Sequence, residues 1–127
     1  MKHSINQTVY LEDTDAGGIM YHASHIRFME RARTELIGTM GTSVAELQQK
    51  GIFFVVTHID IYYRAPSFLG DVLTVSAEVA EVKRVSMTIK QEIRNADKLV
   101  ADALVTIAMK DRHRLVRIPP EILDRMR

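Results

Sequence analysis

The chain predicts an α+β protein in which a five-stranded antiparallel sheet is covered by one long helix. Three observations carry that expectation. Four segments alternate apolar and polar residues with period two, one segment repeats apolar residues at spacings of three and four, and the helical segment precedes the alternating ones. Period two with a single apolar face is the pattern of antiparallel strands that cover a core on one side.

Taken in order, an early strand is expected over about Ser4 to Leu11. The long helix follows from about His25 to Met40, with Phe28, Met29, Ala32, Leu36, Ile37 and Met40 on one stripe. Gly38 and Gly41 mark its end. Ser43-Val44-Ala45-Glu46 reads as a capping box that opens a short second helix. Ile59, Ile61 and Tyr63 then alternate with His58, Asp60, Tyr62 and Arg64, and Pro66 and Gly70 bracket the turn that follows. Leu73, Val75, Ala77 and Val79 alternate with Thr74, Ser76 and Glu78. Val85, Met87, Ile89 and Ile93 do the same against Ser86, Thr88, Lys90, Glu92 and Arg94. Leu99, Ala101, Ala103, Val105, Ile107 and Met109 form the last inner face, reached through the hairpin-like Asn95-Ala96-Asp97. Pro119 and Pro120 open a final short helix ending in Arg127. A helix of about 16 residues spans roughly 24 Å, enough to lie across a curled five-stranded sheet. The sheet's edges and outer face are then left to polar residues or a partner subunit. Leu104 and Ala108, on the outer face of the last strand, mark a candidate subunit contact.

No repeat or linker interrupts residues 1–127, which read as a single domain. The 17 Lys+Arg against 16 Asp+Glu leave a net charge of +1, which argues against an overall grip on nucleic acid. With 46% hydrophobic and 26% charged residues, this is the composition of a folded chain. The longest apolar run, Ile52 to Val56, falls far short of the roughly 20 residues a membrane helix needs. Met1 to Thr8 carry no apolar stretch resembling a signal peptide. The absence of cysteine excludes disulfides, a Cys nucleophile and thiolate metal sites. The expectation is a cytoplasmic protein that neither inserts into a membrane nor binds nucleic acid.

Several familiar signatures fail on inspection. There is no glycine-rich phosphate loop. Gly41-Thr42-Ser43-Val44-Ala45 comes close to a nucleophile elbow, but a helix precedes it where that motif needs a strand, and capping explains Ser43 with less strain. Asp13, Asp15 and Gly18 match the opening of a calcium loop, yet its twelfth position is Ser24, where a bidentate Glu is required. His22 and His25 at i, i+3 with Asp15 nearby suggest a metal site that no further ligand cluster supports.

What remains is the stretch from Glu12 to His25, between the first strand and the long helix. It gathers carboxylates, the paired Gly17 and Gly18, Tyr21 and His22 at a helix N-terminus. A helix N-terminus offers unpaired N–H groups and partial positive charge, which a developing oxyanion needs. Glycines let a substrate approach the backbone closely, and Asp15 could activate water or attack a carbonyl. From spacing alone a second reading stands beside this one: an acidic turn that caps a helix, with Tyr21 and His22 as packing residues.

Val9-Tyr10-Leu11-Glu12-Asp13-Thr14-Asp15-Ala16-Gly17-Gly18, with Tyr21-His22-Ala23 and Phe28-Met29-Glu30-Arg31-Ala32-Arg33-Thr34-Glu35, closely resembles the YbgC-like acyl-CoA thioesterases. These are hotdog-fold enzymes related to 4-hydroxybenzoyl-CoA thioesterase. Tyr63-Arg64-Ala65-Pro66 followed by Gly70-Asp71 is similar to the family's second signature. The resemblance runs over nearly the whole chain. It implies a hotdog fold, a five-stranded antiparallel sheet wrapped around one long central helix, and hydrolysis of acyl-CoA to acid and CoA without metal or cofactor. Asp15 matches the family's catalytic carboxylate, as general base or as nucleophile. His22 matches the residue whose backbone N–H polarises the thioester carbonyl, its imidazole being a further candidate contributor. The resemblance also implies a homodimer or homotetramer with sites at the dimer interface, and a Tol–Pal-related partner. Leu11 and His25 depart from the family pattern, each standing where a Tyr is common.

CoA carries phosphates, so cations should line its entrance. Lys83 and Arg84 are the first candidates, and the stretch from Lys110 to Arg117 is the second; a solvated charged edge is the competing reading for both. Arg64 reads as an ion-pair partner within the fold. Two rival functions remain. A hotdog hydratase or dehydratase would need a His and a carboxylate at opposite ends of a β-hydroxyacyl chain. A non-catalytic acyl-CoA binder would be favoured by an apolar residue at position 15, where this chain has Asp15.

Overall fold

The computed structural model describes residues 1–126, so the expected helix end at Arg127 lies outside the described residues. Strand β1 (Lys2–Thr8) leads through a 3-10 turn at Leu11–Asp13 to helices α1 (His22–Gly38) and α2 (Val44–Gln49). Strands β2 (Phe53–Tyr63), β3 (Val72–Val82), β4 (Ser86–Asn95) and β5 (Lys98–Lys110) follow, then α3 (Pro120–Met126). The strands form one antiparallel sheet in the order β1-β3-β4-β5-β2. β1 and β2 therefore each carry an unpaired edge.

α1 packs most closely on β1, β3 and β4. The five-stranded antiparallel sheet is as expected, but the helix sits toward one side of it, and two short helices accompany it. Phe28, Met29, Ala32 and Leu36 of α1 are buried against Leu73, Val75, Met87, Ile89 and Ile93. Each of these side chains except Ala32 contributes about 1.5–3 kcal/mol through removal from water. Position 91 of β4 breaks the apolar face: Gln91 is fully buried there. Its amide donates to Met29 O at 2.9 Å and Ser76 O at 3.2 Å and accepts from Arg33 Nη1 at 2.8 Å.

The boundaries differ from the sequence expectation for local reasons. β1 stops at Thr8, short of Leu11, because the Asp13 N–H donates to Tyr10 O and the Asp13 carboxylate accepts the Tyr10 N–H, both at 2.9 Å. α1 starts at His22, three residues before the expected His25, since its first turn precedes the apolar stripe. β2 starts at Phe53 because the register shifts between Val56 and His58. That bulge moves the core-packed face from Phe54 to Ile59 and Ile61, so alternation is legible only beyond it. A second shift, where Ile93 pairs with Ala101 and Arg94 with Leu99, turns Val100 inward and leaves Leu99 half-buried. Ala108, expected outward, is buried within the chain at 3% exposure, and only Leu104 of that pair stays exposed. Ser43 does cap α2, its Oγ accepting the Glu46 N–H at 3.1 Å.

Candidate active site

The loop from Asp15 to Gly18 is a tight turn. The Gly18 N–H donates to Asp15 O at 3.0 Å and the Asp15 N–H to Ile19 O at 2.9 Å. Gly18 has φ +82, a left-handed conformation that costs an ordinary side chain roughly 1–2 kcal/mol. Gly17 has a different reason to be glycine. Its N–H donates to Asp15 Oδ1 at 2.8 Å, and a Cβ there would sit 3.1 Å from that same oxygen. The carboxylate is thus held on one oxygen and open on the other.

Three contacts tie the loop to the scaffold. The Met20 N–H donates to Ser67 O at 2.8 Å, and the Tyr21 N–H to Asp13 O at 2.8 Å. The Ser24 hydroxyl donates to Asp13 O at 3.1 Å. Asp13 itself is buried, and Arg27 Nη2 lies 3.6 Å from its Oδ1 while donating to Ser24 Oγ at 2.9 Å. Asp13 is therefore a brace beneath the turn, whereas Asp15 is exposed above it.

α1 begins without a side-chain cap: Tyr21 occupies the capping position in extended conformation and its side chain makes no capping bond. Among the described residues no protein acceptor meets the His22 or Ala23 N–H. Asp15 and His22 line one cavity of about 360 Å³, together with Ile19, Met20, His25, Tyr63, Arg64, Ala65 and Pro66. The Tyr63 hydroxyl donates to His22 O, pinning the helix end to the end of β2. Its ring meets His25 edge-on, centroids 4.9 Å apart. His25 is 4% exposed and bonds Tyr21 O through Nδ1 at 3.2 Å. A carbonyl only accepts, so Nδ1 carries the proton. Burial lowers the His25 pKa below its usual 6.5 and raises that of Tyr63 above its usual 10.0. At neutral pH the cavity thus presents a neutral imidazole with Nε2 as acceptor, and a protonated phenol.

The structure brings Asp15, Gly17, Gly18 and His22 together. Tyr21 stands beside them, its ring centroid 4.3 Å from that of His22, but does not line the cavity. Lys83 and Arg84 are not brought there. They line a separate hollow of about 250 Å³ with Arg117. The start of β3 lies near the loop, where the Val9 N–H donates to Asp71 O at 2.8 Å. The strand then carries Lys83 away by its whole length, roughly 33 Å. Arg64 is the expected ion-pair partner, with Nε 2.8 Å from Asp102 Oδ1, and it also reaches the cavity rim. Tyr63 and His25 stood in the quoted family signature and in the candidate stretch, but sequence reasoning gave neither a role in the site. Their meeting across α1 and β2, His25 edge-on to Tyr63, is what puts them on the cavity wall.

Comparison with known proteins gives the family and the fold. Residues 9–126 match the model of the thioesterase-like superfamily. The acyl-CoA thioester hydrolase YbgC of Escherichia coli is 39% identical over 104 residues, 81% of this chain and 78% of that protein. The acyl-CoA thioesterase YbgC of Haemophilus influenzae is 38% identical over 117 residues, 90% of this chain and 86% of that protein. The crystal structure of a probable thioesterase from Bartonella henselae superposes with a TM-score of 0.89 at 28% identity, covering 94% of this chain and all of that one. The family match over residues 9–126 and the identity to these relatives place the chain in the thioesterase-like superfamily, among the YbgC acyl-CoA thioesterases.

Proposed function

We propose that the protein hydrolyses acyl-CoA thioesters to a free carboxylic acid and CoA, with Asp15 as the reacting carboxylate and the His22 N–H as the carbonyl's polariser. One observation carries the reading: Asp15, held by Gly17, shares a cavity with the uncapped N-terminus of a 17-residue helix. A thioester oxygen against the His22 N–H accepts a hydrogen bond that strengthens as the oxygen gains charge, and the helix dipole adds to it. The Asp15 Oδ2 is free of Gly17 and has two routes. As general base it takes a proton from water while the water oxygen bonds the carbonyl carbon. The C–S bond then breaks, and the proton passes to the departing sulfur. As nucleophile it forms an anhydride, expels CoA thiolate, and is freed when water cleaves the anhydride. In a single turnover in ¹⁸O-water, label in Asp15 means attack by the carboxylate; with label only in the product acid, trapping of an acyl–Asp15 anhydride by hydroxylamine distinguishes water attack on the anhydride's acyl carbon from general-base action.

Asp15→Asn keeps the shape and removes the basicity. Thiol release from short, medium, long and aromatic acyl-CoAs should fall roughly a hundred- to ten-thousand-fold in this variant, with the fold intact. Absence of turnover on every CoA ester, or activity indifferent to Asp15, would sink the reading in favour of carrier-protein esters, enoyl hydration or simple binding.

The oligomer, homodimer or homotetramer, belongs to the same proposal, supported by the unpaired β2 edge with exposed Val56 and Tyr62. It gives Lys83 and Arg84, with Arg117, a role toward the CoA phosphates at a neighbouring subunit's cavity. Their replacement by Ala should then raise KM for CoA esters more than for thioesters lacking the nucleotide. No described helix is long and apolar enough to cross a membrane, and the proposed setting is the cytoplasm. The Tol–Pal-related partner is part of the proposal as well, to be tested by co-purification with the tagged chain.

A further inference from the structure

A second cavity, of about 200 Å³, lies under the C-terminal half of α1, between that helix, α2 and β2. Ile37, Leu47 and Phe54 give it apolar walls, and Glu30, Arg33 and Thr34 line its helix side. For scale, a 150 Å³ apolar cavity is enough to hold benzene. The unusual member is Arg33, which is only 6% exposed. Its Nη1 donates to Gln91 Oε1 at 2.8 Å. Among the described residues it forms no ion pair, and its Nε and Nη2 have no hydrogen-bond partner. Neither atom is sealed off, because among the described residues the one buried side-chain polar atom without a partner is Ser67 Oγ. Arg33 lines this cavity, and both nitrogens keep some accessible surface.

Nε and Nη2 are the two parallel donors on one side of the guanidinium, the fork that grips both oxygens of a carboxylate. An unpaired buried charge is costly, and an incoming anion removes that cost. Burial lowers the Arg33 pKa, as expected of a cation short of a counter-ion. Glu30, on the same wall of the cavity, offsets part of that through its charge, but it is exposed and makes no ion pair with Arg33. Arg33 stands eleven residues beyond His22, roughly 16 Å along the helix. It is thus clear of the thioester site and suited to the far end of an acyl group.

We propose that this cavity binds the free carboxylate of an acyl group derived from a dicarboxylic acid, anchored by the Arg33 fork between apolar walls. The proposal rests on the acyl-CoA hydrolase reading and names its substrate class.

The test compares succinyl-, adipyl-, suberyl- and dodecanedioyl-CoA with the methyl-ended esters of equal length, in wild type, Arg33→Met and Arg33→Lys. At one or more lengths the carboxyl-ended ester should be favoured in kcat/KM by about tenfold to a hundredfold. Arg33→Met should abolish that ratio and Arg33→Lys, which keeps the charge and can still bond Gln91, should retain part of it. No advantage at any length, or an advantage that survives Arg33→Met in a folded protein, overturns the proposal. A second readout needs no turnover: titration with hexanoate should shift the Arg33 Nε–H resonance, and titration with hexanol should leave it in place. If no thioester is hydrolysed, the hydrolase reading falls, and the hexanoate titration still decides for or against the cavity. An unmoved Arg33 resonance counts against it.

Discussion

Gly17 and Gly18 are adjacent, yet their alanine variants should fail in different measurements. Nothing lies within 4 Å of a Cβ on Gly18, so Gly18→Ala suffers only from its positive φ. It should lose roughly 1–2 kcal/mol of stability in urea unfolding. Gly17→Ala sets a methyl 3.1 Å from Asp15 Oδ1, so kcat should fall while the denaturation midpoint barely moves. Equal effects of the two variants on both readouts would refute the division. His25 supplies a pH test. Its folded pKa lies below the unfolded 6.5, so the unfolded chain takes up the proton first as pH falls. The stability it contributes is complete above about pH 6.5 and is lost as pH drops from there toward the folded value. His25→Gln should flatten the fall of Tm between about pH 7 and about pH 5; parallel curves would assign the acid sensitivity to other groups. Of these residues, Asp15, Gly17, Gly18 and His22 were legible because they lie close together in the chain. The roles of His25 and Tyr63 were not, because their environment is made by α1 and β2 meeting.

The secondary-structure elements follow their capping and periodicity, and depart from them where a bulge intervenes. Ser43→Ala removes the cap of α2 and should cost about 0.5–2 kcal/mol in thermal or urea unfolding. No loss would mean that packing of Leu47 alone holds the helix. Alternation located the four long strands but not their full extent, since the shift between Val56 and His58 reverses which residues face inward. The same blindness applies to Gln91, whose polar side chain sits on the apolar face because α1 brings Arg33 and the Met29 carbonyl to it. A periodicity argument has no term for a partner 58 residues away.

For the molecule as a whole, the unpaired edges are the main question. β1 and β2 end the sheet, and an edge with exposed apolar side chains invites pairing with a second chain. Sedimentation should show a dimer or tetramer, and Val56→Lys, which charges the β2 edge, should shift it toward monomer with loss of thioesterase activity. A wild-type monomer with full activity would remove the need for a partner. Composition and pattern by themselves determined the fold class and the order of the elements, and the family resemblance singled out the loop that carries Asp15. Those depend on local hydrogen bonding and on one-dimensional periodicity, both written in neighbouring residues. Assembly in space decided the rest: Tyr63 and His25 across from Asp15, Lys83 and Arg84 a strand's length away, Ala108 inside, Arg33 buried with a hydrogen bond from Nη1 alone. Each of these is a long-range juxtaposition, set by how strands pair and how a helix lies on them, and neither propensity nor spacing encodes that pairing.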